Sequence, residues 1–302
     1  MKLEFNQINK YFDEHHVLKD ISFEVNSGQI FGYLGRNGAG KTTSIRILMD
    51  VFKPNSGNIT LDGKPFSPED YRIGYLPEER GMYSKTRVID QLVYFAMLRG
   101  ATREEAMDSV NYWAKQFKIE EYLDRKLETL SKGNQQKVQI TQAFLNNPDI
   151  LILDEPFSGL DPVNSQVFQD ALTNYIADDK IIIFSSHQMS YVETFCDDIA
   201  IINQGSIVLN GSLNTIKKEL GKDKIRIQAH NYDSNQLMAL LSSDQVHVEA
   251  DEKSMIVSLS KELSKKAWMA SVIESDIDLK LLSDYEPSLQ DIFVAKVGDH
   301  HE

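Results

Sequence analysis

The sequence predicts an α/β core carrying a helical insertion, followed by a small α+β unit. Three observations predict it. Short, continuously apolar, β-branched runs at 30–34, 150–153 and 181–184 alternate with helical stretches, the pattern of parallel strands covered on both faces. Between the first two runs, roughly residues 85–130 carry helical spacing without strand character, with Leu92, Val93, Phe95 and Ala96 in one segment and Tyr112, Trp113 and Phe117 in the next. After Gly221 the pattern changes to strand 224–230, helix 235–241, strands 246–250 and 255–259, helix 267–273 and strand 279–282.

That last order, β-α-β-β-α-β, matches the split ferredoxin-like unit, and a further helix is expected over 288–297, after Pro287. With 302 residues and roughly 150 residues per domain, two domains are expected. We place the first over residues 1–221, with its helical subdomain at about 85–147, and the second over 222–302.

The charge balance, 32 Lys plus Arg against 45 Asp plus Glu for a net −13, disfavours a bulk electrostatic grip on nucleic acid or on an anionic membrane surface. Any anion must be held locally. The single cysteine, Cys196, cannot form an intramolecular disulfide, which leaves the cytosol as the default compartment. The opening MKLEFNQINKYF is interrupted by charged and amide residues before an apolar signal region could form. No run approaches the roughly 18–20 apolar residues that a spanning helix needs.

Gly35, Arg36, Asn37, Gly38, Ala39, Gly40, Lys41 and Thr42 fit G-x-x-x-x-G-K-[ST], directly after an apolar strand and before a helical run at 44–49, with Thr43 completing the turn. Glycines let backbone N–H groups turn inward around phosphates, and the helix N-terminus adds positive dipole. Lys41 is placed to reach the β and γ phosphates, and the Thr42 hydroxyl to ligate Mg²⁺. A glycine-rich turn that binds nothing would not require Lys-Thr after the strand.

Asp154 ends the run at 150–153 and Glu155 follows at once. An acid at the C-terminal end of a parallel strand sits at the ligand edge of the sheet. Asp154 is therefore placed to hold Mg²⁺, directly or through its water, and Glu155 to polarise an attacking water as general base. Taken alone, two acids after a strand are more often a helix cap or a solvated loop; the phosphate loop upstream reverses that preference.

At this point the sequence resembles the ATP-binding subunits of ABC transporters. Besides the loop at Gly35 to Thr42, Leu130, Ser131, Lys132, Gly133, Asn134, Gln135 and Gln136 look like the family's signature, and 150–156 looks like its Walker B strand. Ser158, Gly159, Leu160 and Asp161 resemble the D-loop, and Ser186-His187 after the strand at 181–184 looks like the switch histidine. Five motifs occur in family order between residues 35 and 187. The C-terminal part, ending in Glu286-Pro287-Ser288-Leu289-Gln290-Asp291-Ile292-Phe293, further resembles the accessory domain of the branch that works with ABC-2-type exporters, including drug and sodium efflux ATPases.

The resemblance implies a P-loop ATPase fold in which two nucleotide-binding domains pair head to tail, each ATP lying between one chain's phosphate loop and the other's signature. It implies an ATPase using ATP and Mg²⁺, acting as a homodimer with integral-membrane permease subunits and lying in the cytoplasm against the inner face of the cell membrane. Ser131 and Gly133 would then aim a hydroxyl and an amide at the partner's γ-phosphate from a helix N-terminus, although Ser131 by itself reads as a plain N-cap. His187 would contact the γ-phosphate and stabilise charge developing there. Tyr11 occupies the place of the aromatic that stacks on adenine, with rim packing as the other reading and Phe12 as its substitute. Asp161 would cross the dimer interface, or simply cap the helix that begins at Pro162.

Two departures stand out. The signature reads LSKGN where LSGGQ is common, so Lys132 adds a charge and Asn134 shortens an amide, while Ser131 and Gly133 are retained. In 73–80, Glu78 stands where the family usually has a glutamine; a carboxylate can bind Mg²⁺ or orient water but offers no N–H donor and resists phosphate. The alternative, a soluble ABC ATPase acting on ribosomes or DNA, fits less well: such proteins carry two nucleotide domains per chain or long coiled coils, and this chain has one site and no heptad run. A GTPase reading lacks its guanine-reading aspartate after Asn9-Lys10.

Overall fold

The computed structural model describes residues 1–78, 81–176, 179–251 and 254–298. The final two positions of the 73–80 segment thus lie outside the described residues. The chain forms two compact units, Met1–Leu213 joined by residues from Phe293 onward, and Asn214–Ile292.

In the first unit, β1 (Lys2–Phe12), β2 (His15–Asn26) and β3 (Ile30–Leu34) lead into α1 (Lys41–Leu48), followed by β4 (Ser56–Leu61), β5 (Lys64–Pro65) and β6 (Ile73–Leu76). Then come α2 (Val88–Leu98), α3 (Arg103–Gln116), α4 (Lys132–Phe144), β7 (Ile150–Asp154), α5 (Pro162–Tyr175), β8 (Ile181–Ser185), α6 (Met189–Phe195), β9 (Asp198–Asn203) and β10 (Ser206–Ser212). A six-stranded sheet in the order β10-β9-β3-β8-β7-β6 is parallel throughout except for its antiparallel edge β10. Every residue of β3, β7 and β8 is buried, which is why these three strands announce themselves as unbroken apolar runs.

An antiparallel sheet, β2-β1-β4-β5, covers one side of that core. Phe23 stacks on Phe5 at 4.3 Å and on Phe31 at 5.4 Å between ring centroids, tying the antiparallel sheet to β3. The insertion is helical as expected. A capping box between Thr102 and Glu105 starts α3, and Trp113, Phe117, Phe144 and Tyr175 form an aromatic cluster that seats α3 and α4 on α5.

The second unit contains α7 (Leu213–Leu220), β11 (Lys224–Ala229), α8 (Ser234–Leu241), β12 (Val246–Asp251), β13 (Ser254–Leu259), α9 (Lys265–Ile273) and β14 (Leu279–Asp284), and the chain leaves it within α10 (Leu289–Val297). Its antiparallel sheet runs β12-β13-β11-β14, the ferredoxin-like order. Ile225, Ile227, Val257 and Trp268 lie in its core. The compact units divide at 213/214, eight residues before the expected domain boundary at 221/222. Gly221 reads as a linker glycine, yet a Cβ there would come 2.2 Å from the Tyr285 carbonyl, so it packs inside the second unit.

Candidate functional site

The turn from β3 into α1 is held open by its glycines. A Cβ on Gly35 would lie 2.6 Å from the Ile202 carbonyl oxygen, so only glycine lets the loop pass over β9. Gly40 caps α1 at φ +116 without any side-chain hydrogen bond, leaving the first amides of the helix without a side-chain partner. Gly38 has φ +79 and open space where a Cβ would stand. Lys41 folds back so that Nζ donates to the Gly35 carbonyl at 2.6 Å and, more weakly, to that of Arg36 at 3.4 Å. Burial pulls the Lys41 ammonium below its ordinary value, opposed by the charges of Asp154, Glu155 and Glu78.

A cavity of about 250 Å³ opens over this turn. Ten of the residues singled out from sequence line it: Arg36, Asn37, Gly38, Gly40, Lys41, Thr42 and Thr43 on one side, and Glu78, Asp154 and Glu155 on the other. Gly35 and Ala39 lie in the same loop, buried behind it. Val17, from β2, also lines the cavity.

Asp154 ends β7 and is 3% exposed. Its Oδ1 accepts from the Ser185 hydroxyl, while Oδ2 is buried with no hydrogen-bond partner among the described residues. Burial pushes its carboxyl up from the ordinary value, against the Ser185 hydrogen bond and the Lys41 charge. An orphaned, buried carboxylate oxygen in a cavity that Thr42 also lines fits a hard cation. No group of three or more His, Cys, Asp or Glu suited to a metal occurs among the described residues, which accords with Mg²⁺ taking few protein ligands and completing its shell with phosphates and water.

Glu155 adopts φ +51, uncommon for a residue with a Cβ. Its carboxylate is pinned on both oxygens: Oε1 accepts from the His187 amide at 2.7 Å and stands 2.8 Å from His187 Nδ1, and Oε2 accepts from the Ser186 hydroxyl at 3.1 Å. Ser185 and Ser186 thus support both acids. Sequence reading assigned neither a site role. No sequence signal marks them, because the link is the parallel pairing of β7 with β8, whose register sets Asp154 opposite Ser185.

Tyr11, Ser131, Gly133, Asp161 and His187 do not line the cavity. His187 nonetheless touches Glu155. Tyr11 is 42% exposed and stacks one ring face on His16 at 3.9 Å, while Phe12 meets Phe52 edge-on. Ser131 caps α4, accepting from the Asn134 amide at 3.3 Å, and Asp161 caps α5, accepting from the Asn164 amide at 2.8 Å. Gly133 faces the Gly159 carbonyl, 3.4 Å from where a Cβ would be, which sets the signature-like segment beside the D-loop-like one.

Two known family descriptions match, ABC transporter over residues 18–158 and ATP-binding protein DrrA1-3-like, C-terminal domain, over residues 211–297. The chain is 37% identical over 304 residues to the uncharacterized ABC transporter ATP-binding protein YhaQ of Bacillus subtilis, covering 99% of this chain and 100% of YhaQ. It is 33% identical over 230 residues to the Nod factor export ATP-binding protein I of Burkholderia thailandensis, covering 74% of this chain and 76% of that one. Among solved structures, an ATP binding subunit of an ABC transporter superposes with a TM-score of 0.67 at 30% identity, over 73% of this chain and 94% of the other. With a relative matched end to end, around a phosphate loop that faces two carboxylates, the chain belongs to the ABC transporter ATP-binding proteins and is an ATPase.

Proposed function

We propose that this ATPase uses Mg²⁺-ATP, pairs with a second copy of itself, and powers export through separate membrane permease subunits on the cytoplasmic face. The observation that carries the reading is the cavity in which Lys41, Asp154 and Glu155 converge on the open Gly38 turn. At about 250 Å³ it suits the triphosphate end of a nucleotide and leaves the base outside, where the exposed face of Tyr11 is available for stacking.

Lys41 would exchange the Gly35 carbonyl for phosphate oxygens. Glu155, oriented by Ser186 and the His187 amide, would accept the proton of the attacking water, and the His187 ring would stabilise charge on the transferred group. Asp154, Thr42 and Glu78 would hold Mg²⁺, which when bound neutralises charge spread over the phosphate oxygens. Ser131, Gly133 and Asp161 lie off the cavity, so a contribution from them to phosphate requires a second chain, in keeping with the head-to-tail pairing of the family. Export is supported by the Nod factor export relative. The acidic balance argues against nucleic acid as the partner. Among the described residues no helix is long and apolar enough to cross a membrane, so transport would need permease subunits.

Affinity purification of the tagged chain from detergent-solubilised membranes of its host, with magnesium and ATP present, tests this. A polytopic membrane protein recovered in near-stoichiometric amount is the expected result. Recovery of ribosomes or nucleic acid instead would overturn the transport reading.

A further inference from the structure

Tyr11 and His16 are partners in the β1–β2 register, and their rings lie 3.9 Å apart between centroids at an interplanar angle of 10°. The His16 ring is restrained in turn by Asn9. Asn9 Nδ2 donates to Asp20 Oδ1 at 2.7 Å and to the Gln7 carbonyl at 3.2 Å, while Asn9 Oδ1 accepts from the Asp20 amide at 3.1 Å. Carboxylates and carbonyls only accept and a backbone N–H only donates, so these three bonds fix which way the Asn9 amide faces. The atom it offers His16 is therefore an acceptor, and His16 Nε2, 2.9 Å away, carries a proton and donates. On the Tyr11 side, the backbone N–H donates to Asn55 Oδ1 at 2.8 Å. His16 is the one ring that Tyr11 meets among the described residues, and Tyr11 keeps 42% of its surface exposed. Val17, next to His16 in β2, lines the phosphate cavity.

We propose that His16 is a positioning residue for the nucleotide base: by covering one face of Tyr11, and being held itself by Asn9, it fixes the tyrosine ring before the base stacks on the other face. The proposal rests on the reading of Tyr11 as the base platform and goes beyond it, because His16 touches no part of the nucleotide and acts through Tyr11. A tyrosine without such a backing would be immobilised only when the base arrives, which weakens binding by about twofold to tenfold. The backing ring also keeps water off one face of the platform, so the three rings would form a single offset stack. The effect is confined to ligands that carry a base. The phosphates are held by the Gly35–Thr42 turn and gain nothing from His16.

The test is isothermal titration calorimetry on the full chain with two probes that are not turned over, Mg²⁺-ADP and Mg²⁺-pyrophosphate, which share the phosphates and differ in the base. Tyr11→Ala should weaken ADP by about fivefold to a hundredfold, as loss of a base-stacking aromatic does, and leave pyrophosphate unchanged. His16→Gln keeps an N–H for Asn9 but removes the ring, and should weaken ADP by about twofold to tenfold with pyrophosphate again unchanged. His16→Phe restores a ring without the N–H and should bind ADP within about twofold of the parent. Added to Tyr11→Ala, His16→Gln should have no further effect, since the two residues act as one unit. The proposal is overturned if His16→Gln binds ADP like the parent while Tyr11→Ala does not, if it weakens pyrophosphate as much as ADP, or if its effect persists undiminished in the Tyr11→Ala background. Parent-like ADP binding by Tyr11→Ala would instead overturn the base-platform reading, and this proposal with it.

Discussion

Gly38→Ala separates the two things a phosphate-loop glycine does. Gly38 has φ +79 and no protein atom within 4 Å of a would-be Cβ, so alanine there costs only backbone strain. For an L residue in the left-handed region that strain is about 1–2 kcal/mol. In a unit of this size each kcal/mol lowers Tm by about 2–4 °C, so a drop of about 2–8 °C is expected. Gly63, in the turn between β4 and β5, has φ +75 and equally open surroundings, and Gly63→Ala should lose the same amount. The variants part company when nucleotide is added. Parent and Gly63→Ala should gain about 2.7 kcal/mol at ATP near 100 times Kd, whereas Gly38→Ala should gain little because its methyl fills the phosphate space. Differential scanning fluorimetry with and without Mg²⁺-ATP reads both effects. An ATP-induced shift in Gly38→Ala equal to that in Gly63→Ala would falsify the assignment of this turn to phosphate.

Two further substitutions probe the acids. Glu155→Gln keeps an oxygen for the His187 amide, so ATP binding should persist while phosphate release falls by about 10²–10⁴-fold and an ATP-dependent dimer accumulates on size exclusion; turnover within twofold of the parent would remove Glu155 from the base role. Asp154→Asn concerns pH. Because burial raises the Asp154 carboxyl, the folded chain binds more protons than the unfolded one between the unfolded and folded pKa values, so stability falls as pH rises through that window and the cost persists above it. The Asn variant should therefore melt higher than the parent at neutral pH without nucleotide, with a flatter acid-side profile, yet lose magnesium-dependent hydrolysis. A lower neutral-pH Tm would contradict the burial argument.

What could be read from sequence was what has a local signature. The loop from Gly35 to Thr42 is set by short-range chemistry, and β3, β7 and β8 are wholly buried and so wholly apolar. The ferredoxin-like unit was legible to within a few residues at most ends, because signals such as the Asp233–Gln236 capping box mark its elements. The long strands β1 and β2 were missed. Positive φ at Gln7 and Asp20 and register shifts between the two strands break the period-two alternation that would have revealed them. Partnerships across the sheet were also out of reach: that Ser185 braces Asp154, or that His16 covers one face of Tyr11, depends on which strands become neighbours. A linker glycine and one required by close approach, as Gly221 is by the Tyr285 carbonyl, look alike in sequence.

The state of the charges before nucleotide arrives explains how such a site can bind and then react. Lys41 is already buried, 8% exposed, and its ammonium rests on the neutral Gly35 carbonyl. Exchanging that acceptor for phosphate adds a charge-assisted hydrogen bond, roughly twice as strong as a neutral one, without new dehydration of the lysine. Glu155 is held in advance at φ +51, a conformation costing about 1–3 kcal/mol that persists only where the surroundings enforce it. Here the restraint comes from the Ser186 hydroxyl and the His187 amide, one on each carboxylate oxygen. The base is therefore oriented by β8 and the residues that follow it rather than by substrate. Among the described residues that line the cavity, Asp154 Oδ2 is buried without a hydrogen-bond partner, at the point where a divalent cation would bring the opposite charge.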